Sequence, residues 1–65
     1  MAVILESFEN GIYTITLNRP DKKNSMNSEL LVQLQKSLNN AEKNEAQIIV
    51  IRGSGKAFCS GGDLI

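Results

Sequence analysis

The 65-residue sequence has no histidine and no tryptophan, one cysteine (Cys59) and one proline (Pro20). A lone cysteine forms no intramolecular disulfide, and without histidine the usual zinc ligand sets are missing, so no metal site is expected. Cys59 and Ser60 also lack the partner that most often activates a nucleophile. Cys59 is therefore read as a small packed residue, and Ser60 as a loop residue bonded to backbone. Phe8, Tyr13 and Phe58 are the only aromatics, and seven basic side chains balance seven acidic ones. That excludes the basic stripe and stacking platform of a nucleic-acid surface. The apolar runs at residues 2–5 and 48–51 are far too short to cross a membrane. No basic segment followed by an apolar core opens the sequence, so a cytoplasmic location is expected.

A chain this short buries roughly 60% of the surface it exposes when unfolded, which leaves a marginal core. Small scaffolds make up the deficit with disulfides, a metal or a partner. The composition leaves a partner, or a longer parent chain.

Residues 2–7 are apolar and β-branched enough for a strand. Asn10-Gly11 suits a tight hairpin turn, because both residue types tolerate positive φ. Residues 12–17, IYTITL, alternate at period two, the pattern of a half-buried strand. Pro20 pushes Arg19 out of the helical region and starts a loop that runs to Met26. A helix follows, with Asn27 as N-cap and Glu29 in the first turn, where its charge suits the helix dipole. Leu30, Leu31, Leu34, Leu38 and Ala41 make its apolar face. Lys43 suits the last turn, and Asn44 ends it. Ile48-Ile49-Val50-Ile51 is a continuous β-branched run, expected to be a strand covered on both faces. The helix then reads as the crossover of a parallel βαβ unit. Ligands in such sheets bind beyond the C-terminal strand ends, which points to residues 53–64.

The glycine-rich stretch GKAFCSGGDLI does not fit a phosphate loop. Val50 stands where that motif needs its first glycine, and Ala57 where it needs Ser or Thr. The dinucleotide fingerprint fails as well, because Phe58 occupies its third glycine position. What Ser60-Gly61-Gly62 offers is bare backbone, either a tight turn or a row of N–H groups open to a ligand.

Four motifs in order carry a resemblance across essentially all of the sequence. Ile15-Thr16-Leu17-Asn18-Arg19-Pro20 resembles a strand ending in N-R-P, and Asn24-Ser25-Met26 an N-A-(L/M) step. The helix and residues 48–52 fit an amphipathic helix and a strand ending in glycine. Residues 55–64 resemble the signature G-x-A-F-(C/S)-(A/S)-G-x-D-(L/F). Together they resemble the front of the crotonase superfamily, the enoyl-CoA hydratase/isomerase group. The resemblance implies an α/β fold, a spiral of ββα units, of which residues 1–65 form the N-terminal portion of one domain.

It also implies an acyl-CoA thioester as substrate, with coenzyme A carried as part of that substrate and no separate cofactor. Gly62 falls where the family's first oxyanion-hole N–H lies. Ser60, Gly61, Asp63 and Leu64 fall where relatives contact the coenzyme, and Lys22, Lys23 and Asn24 match the segment bordering its pantetheine and phosphates. Relatives carry their second donor and acid/base glutamates in later segments, so this stretch alone is not expected to catalyse. A homo-oligomer, trimer or hexamer, is implied for the full-length form, with no nucleic-acid or membrane partner. The rival expectation is a catalytically incomplete remnant that acts only by packing on a partner.

Overall fold

A computed structural model describes residues 2–56, 58 and 59. The chain runs β1 (Ile4–Glu9), β2 (Ile12–Leu17), a 3-10 turn (Pro20–Lys22), α1 (Ser28–Lys43) and β3 (Ile48–Gly53). The sheet order is β1-β2-β3, with β1 antiparallel and β3 parallel to the central β2. The hairpin turn uses positive φ at both Asn10 (54°) and Gly11 (78°), as the dipeptide predicts. Strand β1 begins two residues later than its apolar run suggests, because pairing with β2 sets its ends at Ile4↔Leu17 and Glu9↔Ile12.

Helix α1 keeps its expected bounds. The Asn27 side chain accepts from the Leu30 N–H at 2.9 Å, and Asn44 closes the C-terminus. The helix lies against β1 and β2. There Ile4, Tyr13, Ile15, Leu17, Leu30 and Ala41 form the buried core, with Val3, Met26, Leu34, Leu38, Ala46 and Cys59 packed around it.

Two expectations need correction. Leu31 is not on the buried face but 54% exposed, whereas Ser37 is fully buried. At about 100° per residue, Leu30, Leu34, Ser37 and Ala41 line up, and Leu31 lies about 90° away from their centre. Ser37 is tolerated there because its hydroxyl donates to Glu6 Oε1 of β1 at 2.6 Å. The Tyr13 hydroxyl of β2 donates to the other Glu6 oxygen, so one carboxylate ties the two hairpin strands to the helix. The Ser37 and Tyr13 bonds hold the Glu6 carboxyl below its ordinary range, and the Glu6 bond raises the Tyr13 hydroxyl above its own.

The second correction concerns β3. Its residues Ile48, Ile49, Val50 and Ile51 are 39–54% exposed rather than covered on both faces. The strand sits at the sheet edge, and the helix that precedes it covers β1 and β2 instead. The β-branched run supplies strand propensity, and edge pairing alone satisfies it.

Candidate functional site: a cleft beyond two parallel strand ends

Strands β2 and β3 end side by side, with Leu17 paired to Gly53. Being parallel, they send their following loops off the same edge of the sheet. The first loop is shaped by Pro20, which starts the 3-10 turn, and by Lys23 and Asn24, which both take positive φ. Arg19 braces it from inside, donating from Nη1 to the Ser25 carbonyl at 2.5 Å.

Hydrogen bonds join the two loops. The Ser54 N–H donates to the Leu17 carbonyl at 2.9 Å, and the Ser54 hydroxyl to Asn18 Oδ1 at 3.1 Å. Asn24 Nδ2 donates to the Ser54 carbonyl at 2.9 Å, while Asn24 Oδ1 accepts from the Arg19 N–H at 2.7 Å. Asn18 in turn donates to the Ala2 carbonyl. Gly55 follows with φ +78° and lies against the Pro20 ring.

Between the loops opens a cleft of about 570 Å³ lined by Pro20, Lys23, Gly55 and Lys56. It lies where the strand topology points, beyond the C-terminal ends of parallel strands. Two lysines on its walls make it attractive to an anion. Of the residues singled out in the sequence, Lys23 lines the cleft and Lys22 is exposed on the 3-10 turn beside it. Asn24 is fully buried and joins the loops from behind.

Ser60, Gly61, Gly62, Asp63 and Leu64 lie outside the described residues. The last described positions lead toward them, with Phe58 57% exposed and Cys59 half-buried against the core. Among the described residues, no three His, Cys, Asp or Glu side chains gather in a metal-holding group. No helix among them is long and apolar enough to cross a membrane.

The profile of the family described as enoyl-CoA hydratase/isomerase matches residues 7–65. The chain belongs to the enoyl-CoA hydratase/isomerase family. It is 40% identical over 65 residues to the 1,2-epoxyphenylacetyl-CoA isomerase of Escherichia coli K12, covering 98% of this chain and 25% of that protein. It is also 40% identical, over 63 residues, to a trans-2-decenoyl-(acyl-carrier-protein) isomerase of Streptococcus mutans, covering 95% of this chain and 24% of the relative. A crystal structure of a probable enoyl-CoA hydratase from Mycobacterium smegmatis superposes with a TM-score of 0.89 at 43% identity, covering 98% of this chain and 26% of that one. An enoyl-CoA hydratase/isomerase from Mycobacterium paratuberculosis gives 0.91 at 34%, covering 97% and 25%. The fold is thus crotonase-like, and the hairpin, helix and further strand match its N-terminal ββα units. This family member spans about a quarter of the length of the relatives it matches.

The strand topology already pointed to residues 53–64, which include Gly55 and Lys56, but neither was named as a binding residue, and Pro20 was read only as a chain turn. The register of the two parallel strands is what brings Pro20 and Gly55 face to face.

Proposed function

We propose that this chain forms one wall of a pantetheine-thioester site, with coenzyme A held as part of an acyl-CoA substrate and no separate cofactor. The observation that carries the reading is the cleft itself. In a member of this family, it opens at the shared C-terminal edge of two parallel strands, between Lys23 and Lys56. Lys23, with Lys22 beside it, supplies positive charge toward phosphates, and Asn24 shapes the loop that bears them. The segment Ser60-Gly61-Gly62-Asp63-Leu64 is assigned, by resemblance alone, to the adenine and thioester ends of the coenzyme.

In this reading the Gly62 N–H donates to the thioester oxygen as an enolate-like anion develops. Such a donor, already in place, lowers an acyl-transfer barrier by about 3–4 kcal/mol. Only the N–H acts, so a glycine serves as well as a residue with a side chain. The acid/base group and the second donor are assigned to the part of the relatives that this chain does not span. The whole protein is then a hydratase or isomerase of acyl thioesters, working as a homo-oligomer.

Titration with crotonyl-CoA, followed by amide chemical shifts, tests the reading. Shifts confined to residues 22–24, 55–56 and 60–64 are expected, weakening with salt, while hydration stays at background. Absence of any shift overturns the site, and a measurable hydration rate overturns the placement of the acid/base group.

The bare faces of β3 favour a second reading, a chain that acts by packing on a partner. The mass of the native assembly separates the two. A mass near that of the 65-residue chain together with a different protein supports the second reading.

A further inference from the structure

The hydrogen bonds around Ser54 converge on a single link between the walls of the cleft. All three polar groups of Ser54 are engaged by residues of the 17–24 segment: its N–H by Leu17, its hydroxyl by Asn18, its carbonyl by Asn24. The bonds from Asn18 and Asn24 differ in kind. Asn18 meets Ser54 from the half-buried side and continues to Ala2. Asn24 is fully buried, sits at φ +57°, and uses one end of its amide for Arg19 and the other for Ser54. Asparagine accepts this left-handed backbone more readily than most residues. It also offers a donor and an acceptor on one short side chain. No other neutral side chain of that length does both.

We propose that Asn24 is a positioning residue of the cleft: by holding the Ser54 carbonyl it fixes the separation of the loop bearing Lys23 from the loop bearing Gly55 and Lys56. The role rests on the thioester reading for its functional consequence, but not for the latch itself. Ser54 is the last residue before Gly55 turns the chain against Pro20, so a shift at its carbonyl moves the second wall as a unit. Asn24 thus acts behind the cleft, through Ser54, rather than by touching a ligand.

Asn24→Asp separates this from a general contribution to stability. The variant keeps the acceptor for the Arg19 N–H and the tolerance for positive φ. It turns an ionised oxygen toward the Ser54 carbonyl, where a donor is required. Amide exchange of Ser54, Gly55 and Lys56 is expected to quicken by about tenfold at neutral pH, with the exchange of β1, β2 and α1 unchanged. Crotonyl-CoA affinity is expected to fall by a similar factor. Burial against the Ser54 carbonyl oxygen raises the introduced carboxyl, and its protonated form can donate again. Both losses are therefore expected to recover toward about pH 5, which wild-type Asn24 has no group to mimic. At that pH Glu6 of the helix clamp remains ionised; the cations nearest the introduced carboxyl are Arg19, bonded to the Ser25 carbonyl, and the exposed Lys22 and Lys23.

Ser54→Ala removes only the bond to Asn18. It is expected to quicken exchange at Gly55 and Lys56 by about twofold with no recovery in acid. If Asn24→Asp does not fold, Asn24→Gly decides, because it keeps the left-handed backbone and removes both amide bonds; wild-type exchange at residues 54–56 in it overturns the latch. Wild-type exchange at residues 54–56 in folded Asn24→Asp overturns it as well. A wild-type protein that binds no crotonyl-CoA overturns the thioester reading alone, because the exchange measurement needs no ligand.

Discussion

A β-carbon added to Gly55 would stand 2.9 Å from Cβ of Pro20. That is closer than real β-carbons approach, and Gly55 also has φ +78°. Gly55→Ala therefore suffers twice, from left-handed backbone and from the contact. A loss of about 1–3 kcal/mol in urea unfolding is expected. Pro20→Gly in the same chain removes the contact and leaves the backbone strain. The double variant should therefore lose less than the sum of the two single changes. Simple additivity would show that the loops do not touch.

The Glu6 carboxylate gives the fold a limit on its acid side. Its pKa lies below the ordinary 4.5, chiefly through the Ser37 hydrogen bond and then through Tyr13. A depressed carboxyl contributes stability that is present above its unfolded pKa and lost as pH falls through the folded one. Wild type should lose stability as pH drops below about 4.5, and Glu6→Gln should flatten that slope. Tyr13 has the opposite sign. Raised above 10.0 by Glu6, its contribution is full below the unfolded value and lost as pH rises through the folded one. Thermal melts across pH, with and without Glu6→Gln, check both limbs. An unchanged slope would remove Glu6 from the clamp.

Leu30 is fully buried where the helix meets the hairpin. Leu30→Ala should cost about 2–5 kcal/mol. Small domains are stable by about 5 kcal/mol, so the variant is expected to keep at most about 3 kcal/mol and to melt well below wild type by circular dichroism.

Asn27→Ala removes the acceptor for the Leu30 N–H. A loss of about 1 kcal/mol is expected, with Asn27→Asp or Asn27→Ser recovering most of it. A neutral Asn27→Ala would mean that water caps the helix equally well.

Ile48→Thr and Val50→Thr lie on the face of β3 turned away from the helix, at 54% and 39% exposure. Thr keeps the β-branched shape, so stability should change by less than about 0.5 kcal/mol. Binding of a hydrophobic dye should fall clearly, because the bare edge strand supplies its site. A large drop in stability would show that something already covers that face.

The sequence discloses the elements whose causes are local. Asn10-Gly11 sets its own turn, Asn27 and Asn44 bound the helix, and the run at residues 48–51 has the propensity to pair as a strand. The readings that failed depended on distant partners. Ser37 is buried because Glu6, 31 residues away, accepts its hydroxyl. Leu31 is exposed because the stripe centres between Leu30 and Ala41, about 90° from it. β3 is bare because the helix covers β1 and β2, which no local pattern encodes. The cleft was half visible: Lys23 and Lys56 lay in stretches already pointed to, whereas their meeting across one cleft depends on the register Leu17↔Gly53.

That register also sets an order of assembly. Hairpin pairing begins at Glu9↔Ile12, across a two-residue turn, while β3 begins at Ile12↔Ile48. Closing the longer loop costs more entropy before any bond returns it. The hairpin and helix can therefore gather first, and β3 joins an already formed edge. Strand β3 leads into Ser54 and Gly55, so in that order the second wall of the cleft is built last and lost first.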